Sequence, residues 1–444
     1  MANPVHVKEA VVIKPSETTP VGVLSLSALD SQLFLRFTIE YLLVFRPSSN
    51  TNNPPGSDKA AFSSRVKAAL SKILVPYYPL AGRVRARADG SGLEVVCRAQ
   101  GAVFIQAISD HHTASEFNGA PRYVTQWRKL LCLQVADVLK GAPPLVVQLT
   151  WLKDGAATLG FGINHCVCDG IGSAEFLNSF AELATSQSRV AVGVMPKPVW
   201  DRHLIDSLRP QSCSPVSHPE FSRVPDLCGF LTRFSTEKLA PTSVIFDKGR
   251  LDELKRVALS KRTTASELPF TSFEVLSAHV WRSWARALNL PPTQILKLLF
   301  SVNVRNRVKP GIPSGFYGNA FVLGCAQTSV KDLTEKGLGY ASMLIKRAKE
   351  NVGNDYVNSV IESVRQSRAS TDQVGVLILS QWSRLGLEKV DFGMGKPVHV
   401  GPVCSDRYCL ILPVYNQPEA VKVMVALPSS GAEKYEHLVK FPYS

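Results

Sequence analysis

Apolar positions along this chain recur with two periods, and the alternation between them sketches a fold. Over Ala60–Leu74, the residues Phe62, Val66, Ala69, Leu70, Ile73 and Leu74 share one face at helical spacing, and Pro76 ends the run. Glu9–Pro15, Leu93–Cys97, Val103–Ile108, Leu145–Leu152 and Thr158–Ile163 are short apolar runs that predict strands. Ser48–Lys59, rich in Ser, Asn and Pro, predicts a mobile polar loop. In the second half the spacing predicts helices at Lys248–Leu259, through Ser272–Trp281, at Lys331–Asn351 and at Tyr356–Arg368. Strands are predicted at Leu296–Val304, Phe321–Cys325, Val374–Leu379, His399–Val403, Cys409–Val414 and Val421–Leu427. Between the halves, from about Ser186 to Pro225, six prolines from Pro196 to Pro225 break up any regular element. This places a domain at 1–190, a crossover loop at 191–225 and a second domain at 226–444. Strand–helix mixing in both halves predicts the α/β class: two similar α/β sandwiches.

Composition narrows the function. At 444 residues the chain exceeds what one core supports. It is 45% apolar and 19% charged, ordinary for a globular protein, and no apolar stretch is long enough to predict a membrane span. The start, Met1–Glu9, lacks the apolar core of a signal peptide, and the nine cysteines are scattered, so reduced thiols and a cytoplasmic setting are expected, with a monomer as the default. The net charge of +14 favours an anionic partner. Its basic residues are dispersed, which argues against nucleic acid; Arg83, Arg85 and Arg87 alternate as on the solvated face of a strand. A diffuse positive field would equally steer a polyphosphate-bearing small substrate.

Of the nine histidines, only His165 is followed four residues later by aspartate, in Asn164-His165-Cys166-Val167-Cys168-Asp169-Gly170. The motif sits where an apolar strand with interspersed glycines (Leu159–Ile163) hands over to a helical run (Ala174–Leu183). An imidazole there can project into a cleft from rigid backbone and take a proton from a hydroxyl or amine. By itself H-x-x-x-D is short, and a histidine among apolar strand residues is often a core group, as His279 on an apolar helix face is expected to be. Cys166 and Cys168 have no companion ligand cluster, so no metal is expected. Asp391-Phe392-Gly393-Met394-Gly395-Lys396-Pro397 echoes a kinase D-F-G, but the chain has no H-R-D loop and no glycine-rich phosphate loop. Its residues predict a tight turn, with Gly393 and Gly395 at positive φ and Asp391 capping amides.

Taken together, H-x-x-x-D-G and D-F-G-x-G-K-P about 220 residues later resemble the BAHD acyltransferases of plants, which use acyl-coenzyme A. Leu24-Ser25…Asp30, Tyr77–Arg83, Thr271–Leu276, Val302–Arg307 and Gly315–Asn319 agree in order, so the resemblance covers essentially the whole chain. It implies the fold of the chloramphenicol acetyltransferase-like enzymes: two α/β domains with a channel between them, acyl-CoA entering from one face and the acceptor from the other. His165 matches the catalytic base. Asp169, with Gly170 beside it, matches the residue that supports the turn by pairing with an arginine, here Arg305. Ser380 and Trp382 match a channel-lining stretch, Thr271 and Ser272 match the segment beside CoA, and Asp391, Phe392, Gly393 and Gly395 match a structural motif. The chain departs from the family at Met394, where a tryptophan is usual, at Asn303, where an aspartate is usual, and at Gln381, where a serine is usual; Thr38–Phe45 shows no match to the acceptor-contacting segment of hydroxycinnamoyl transferases.

The implied reaction is transfer of the acyl group from acyl-CoA, a co-substrate, to a hydroxyl of a small-molecule acceptor, with no cofactor. Amide formation on an amine and a non-catalytic role in acyl-chain metabolism are the alternatives.

Overall fold

The computed structural model describes residues 5–46, 57–131, 138–185, 197–208, 210, 215–260, 269–404, 406 and 408–441. The first half contributes β1 (His6–Ile13), β2 (Gly22–Ser25), β3 (Thr38–Phe45), α1 (Ser57–Ile73), β4 (Arg83–Ala86), β5 (Leu93–Cys97), β6 (Ala102–Ile108), β7 (Leu145–Trp151), β8 (Ala157–Asn164) and α2 (Gly170–Thr185). Among its described residues the crossover holds one helical turn, α3 (His203–Asp206). The second half contributes α4 (Phe230–Thr236), β9 (Leu239–Phe246), α5 (Lys248–Leu259), α6 (Ser272–Leu288), β10 (Ile295–Asn303), β11 (Phe321–Ser329), α7 (Val330–Glu335), α8 (Leu338–Glu350), α9 (Asn354–Arg365), β12 (Val376–Gln381), β13 (His399–Pro402), β14 (Tyr408–Val414), β15 (Gln417–Pro428) and α10 (Ser429–Lys440).

Two mixed six-stranded sheets organise these elements, in the orders β1-β6-β7-β8-β3-β13 and β11-β10-β12-β14-β15-β9. Strands β2, β5 and β4 form a small third sheet. Parallel pairing of β10 with β12 needs a long return, and α7, α8 and α9 supply it. In β8 every residue is buried, as expected of a strand covered on both faces. One core gathers Phe45, Phe104, Phe161, Phe180 and Phe392; the other gathers Trp281, Trp284, Phe300, Val357 and Val425.

The structure departs from the sequence pattern in four places. The helix predicted over Lys331–Asn351 is two, because Gly337 adopts φ +88° between α7 and α8. The crossover is not wholly irregular, since α3 forms within it. Ser57–Lys59 open α1 rather than closing a loop; positions 48–56 lie outside the described residues, as do 191–196, 209 and 211–214 of the crossover. Strand β13 pairs antiparallel with β3 in the first sheet, His399 opposite Val44 and Pro402 opposite Tyr41, so the two sheets do not divide at one point in the chain. Of the alternating arginines, Arg83 and Arg85 lie on β4 and Arg87 just past it; Arg85 is exposed beside Glu94, while Arg83 and Arg87 donate to the carbonyls of Gly101 and Leu26.

Candidate active site

The strand–turn–helix around His165 is built from local hydrogen bonds. β8 ends at Asn164, whose side-chain oxygen accepts from the Cys166 amide at 3.0 Å, an Asx turn that swings the chain out of the sheet. The His165 amide donates to the Phe37 carbonyl at 2.9 Å, and the His165 carbonyl accepts from the Asn319 side chain at 2.7 Å. The backbone of His165 is thus gripped from both sides. Asp169 then caps α2, accepting from the Gly172 amide at 3.0 Å. At Gly170 a Cβ would meet the Trp382 ring at 3.1 Å and Leu385 at 3.1 Å, so any larger residue would require those side chains to give by a few tenths of an ångström.

Asp169 does not face the imidazole. It is 4% exposed and meets Arg305 in a two-pronged ion pair, Nη1–Oδ2 at 2.7 Å and Nη2–Oδ1 at 3.2 Å, while the Ala320 amide donates to Oδ2 at 3.1 Å. Burial alone would push this carboxyl up, but the Arg305 guanidinium and the amides of Gly172 and Ala320 outweigh it and hold the pKa below the ordinary value.

A second buried pair braces the turn. Arg202 and Asp30 lie 3.0 Å apart, and Arg202 donates to the Val167 carbonyl at 2.8 Å. The other Asp30 oxygen accepts from both the backbone and the side-chain amide of Asn319, each at 2.8 Å. Residues from the first domain (Asp30), the crossover (Arg202) and the β10–β11 connection (Asn319) therefore converge on His165–Val167. Sequence reasoning assigned no role to any of the three. Asp30 and Asn319 appear only within motif stretches, and Arg202 sits in a proline-rich segment without periodicity.

The His165 ring is partly buried, edge-on to Phe37 (centroids 5.4 Å) and tilted against Phe321 (5.7 Å), with Tyr408 stacked beyond Phe37 at 6.0 Å. Burial pushes its pKa below the ordinary value. The nearby carbonyls of His165 and Cys168, the Asp169 charge and Asn319 oppose this without reversing it, although no hydrogen bond of good geometry reaches Nδ1. The ring is neutral at physiological pH, the state a proton acceptor needs. Cys166 and Cys168 are buried thiols whose pKa burial raises to about 12, so both stay protonated.

The remaining sequence-predicted residues fall into three places. Trp382, just past the end of β12, is 6% exposed and packs edge-on to Tyr41 at 5.3 Å; Ser380 lies two residues earlier on the same side of the chain. Thr271 caps α6 in a capping box with Glu274, whereas Ser272 lines an open cleft with Lys248, Lys255, Gln381, Ser383 and Arg384. Asp391 accepts from the amides of Gly393, Met394 and Gly395 at 2.7, 3.0 and 2.9 Å, with Gly393 and Gly395 at φ +90° and +81°. Phe392 is fully buried between Phe161 of β8 and Phe180 of α2, behind the turn rather than at the imidazole. His279 is a core residue: it donates to the Val439 carbonyl at 3.0 Å, and burial lowers its pKa to about 4.

Residues 3–441 match the family described as Transferase family. Taxadien-5-alpha-ol O-acetyltransferase of Taxus chinensis is 31% identical over 97% of this chain and 95% of that protein. The chain belongs to the BAHD acyltransferases. Omega-hydroxypalmitate O-feruloyl transferase of Arabidopsis thaliana is 30% identical over 97% of this chain and 92% of its own length. Anthranilate N-benzoyltransferase protein 1 of Dianthus caryophyllus is 31% identical over 97% and 98%. The fold matches the crystal structure of vinorine synthase with a TM-score of 0.74 at 20% identity, covering 97% of this chain and 96% of that one. This BAHD member is an acyl-CoA-dependent acyltransferase. Among its described residues no helix is long and apolar enough to cross a membrane.

Proposed function

We propose that this BAHD enzyme moves an acyl group from acyl-CoA to a hydroxyl of a small-molecule acceptor, with His165 as general base. The supporting observation is a neutral imidazole on a turn whose backbone is held by Phe37 and Asn319. His165 takes the hydroxyl proton as the acceptor oxygen attacks the thioester carbonyl. The tetrahedral intermediate collapses, the C–S bond breaks, and the imidazolium returns its proton to the CoA thiolate. General-base help of this kind contributes ~10²–10⁴-fold. The thioester already carries the acyl group in activated form, so the chemistry requires no further cofactor.

The cleft beside Ser272 suits the phosphates of CoA. Lys248, Lys255 and Arg384 line it, although Asp252 and Glu419 partly offset their charge. Asp169 and Arg305 act as positioning residues, and Trp382 holds the start of α2 in register.

An N-acyltransferase reading draws on the Dianthus relative, named for acylation at nitrogen and as similar as the O-acyltransferases. The same base serves an amine acceptor. The test is a matrix of acyl-CoA donors against matched alcohols and amines, read by mass spectrometry on wild type and His165→Ala. Ester products that disappear in a folded His165→Ala variant are expected. Amides alone would move the assignment to nitrogen, and undiminished turnover without the imidazole would remove His165 from the mechanism.

A further inference from the structure

Outside the His165 turn, the crossover and α9 bring a serine, a histidine and a buried glutamate into line. His218 Nε2 lies 2.8 Å from Ser359 Oγ, and His218 Nδ1 lies 2.8 Å from Glu220 Oε1. We propose that Ser359, His218 and Glu220 form a second nucleophilic site, a serine relay that takes acyl groups from small activated esters and thioesters.

The hydrogen-bond directions follow from the donors available. Glu220, 1% exposed, also receives the Tyr356 hydroxyl at 2.5 Å on the same oxygen. The Tyr356 hydroxyl, with its one hydrogen, also lies 3.0 Å from the Leu323 carbonyl; the relay requires Glu220 ionised, its Oε1 accepting from His218 Nδ1–H. The Nε2 lone pair is left facing Ser359 Oγ, and the serine is the donor. This is the tautomer a histidine needs in order to take a proton from an attacking hydroxyl. Phe221, stacked at 5.6 Å and 27°, and Tyr356, at 4.6 Å, fix the plane of the imidazole. His218 is 12% exposed and Ser359 is partly exposed, so the reacting end of the relay meets solvent while its carboxylate end is sealed.

The setting of Ser359 limits what it can attack. It lies inside α9, whose interior amides are committed to the helix ladder and cannot receive an oxyanion. One oxyanion donor is worth ~10²–10³ in rate, so the relay is confined to electrophiles with good leaving groups, such as aryl esters, thioesters and fluorophosphonates. In the acylation step Ser359 Oγ bonds to the carbonyl carbon and His218 Nε2 takes its proton. The bond to the leaving group then breaks, and the leaving group departs with that proton. Water repeats the sequence on acyl-Ser359, releasing the acid and restoring the hydroxyl.

The experiment uses the full chain carrying His165→Ala, in which transfer at the first site is silent. It is treated with a fluorophosphonate probe and, separately, with p-nitrophenyl acetate. The expected result is probe mass on the Ser359 peptide and nitrophenolate release that Ser359→Ala abolishes. His218→Gln should slow labelling ~100-fold. Ser359→Ala favours the helix, so α9 stays folded, and in an otherwise wild-type chain it should leave acyl-CoA transfer unchanged. Labelling confined to other residues, or labelling of Ser359 at the same rate in His218→Gln, overturns the proposal and leaves the cluster as a tether between the crossover and α9.

Discussion

The side-chain amide of Asn319 donates to the carbonyl of His165 at 2.7 Å, and the same amide nitrogen reaches Asp30. One residue thus couples the main chain of the base to a buried ion pair. Asn319→Ala should lower kcat ~10–100-fold through a displaced imidazole, with a smaller change in KM for either substrate. Urea unfolding should show a loss of ~2 kcal/mol, the scale of buried hydrogen bonds to a charged group. Unchanged kcat would mean that the Phe37 contact suffices to fix the turn.

The depressed pKa of His165 sets the pH profile. A general base works deprotonated, so activity falls as pH drops through its pKa and is flat above it. Because burial lowers that pKa from its ordinary 6.5, the acid limb of kcat/KM should be centred below pH 6.5. A limb centred above 6.5 in the kcat/KM profile would contradict the burial of the ring.

Asp169 and Arg305 offer a stability test whose sign is fixed. The folded carboxyl titrates below the ordinary 3.8, so the pair contributes its full stabilisation above that value and loses it as pH falls through the folded pKa. Asp169→Asn leaves the Arg305 charge buried without its counterion, and should cost ~3–5 kcal/mol at pH 7. The gap from wild type should narrow below about pH 4 as the wild-type carboxylate is neutralised. Arg305→Lys keeps the charge but not the two-pronged geometry and should fall between them, as chemical denaturation across pH would reveal.

Arg384 lines the cleft with Ser272 and Ser383. If CoA phosphates lie there, Arg384→Ala should raise KM for acyl-CoA several-fold at low salt, with the gap from wild type narrowing as salt rises, and leave kcat and the acceptor KM nearly unchanged. A change confined to the acceptor KM would place the acceptor, not CoA, on this side.

The strand–turn–helix carrying His165 was legible because its signals are local: a buried apolar strand, an Asn and an Asp that cap, and a glycine directly after the Asp. The tight turn at Asp391–Gly395 was legible for the same reason. Partnership was not. The pattern at His399–Val403 announces a strand but says nothing about which sheet receives it, since register against β3 depends on residues more than 350 positions away. Asp30, Arg202 and Asn319 form their network across 289 positions between Asp30 and Asn319, and single polar residues carry no period that would flag such ties. The helix break at Gly337 was hidden by apolar spacing that continues on either side.

Because β13 closes the first sheet from far along the chain, β3 keeps a bare edge during synthesis until about residue 402 has been made. Tyr41–Phe45 of that strand is wholly buried once the sheet is complete. A piece cut at the crossover would therefore present a sticky hydrophobic border, and exchange of front and back halves between relatives has to carry the His399–Pro402 segment along with the front.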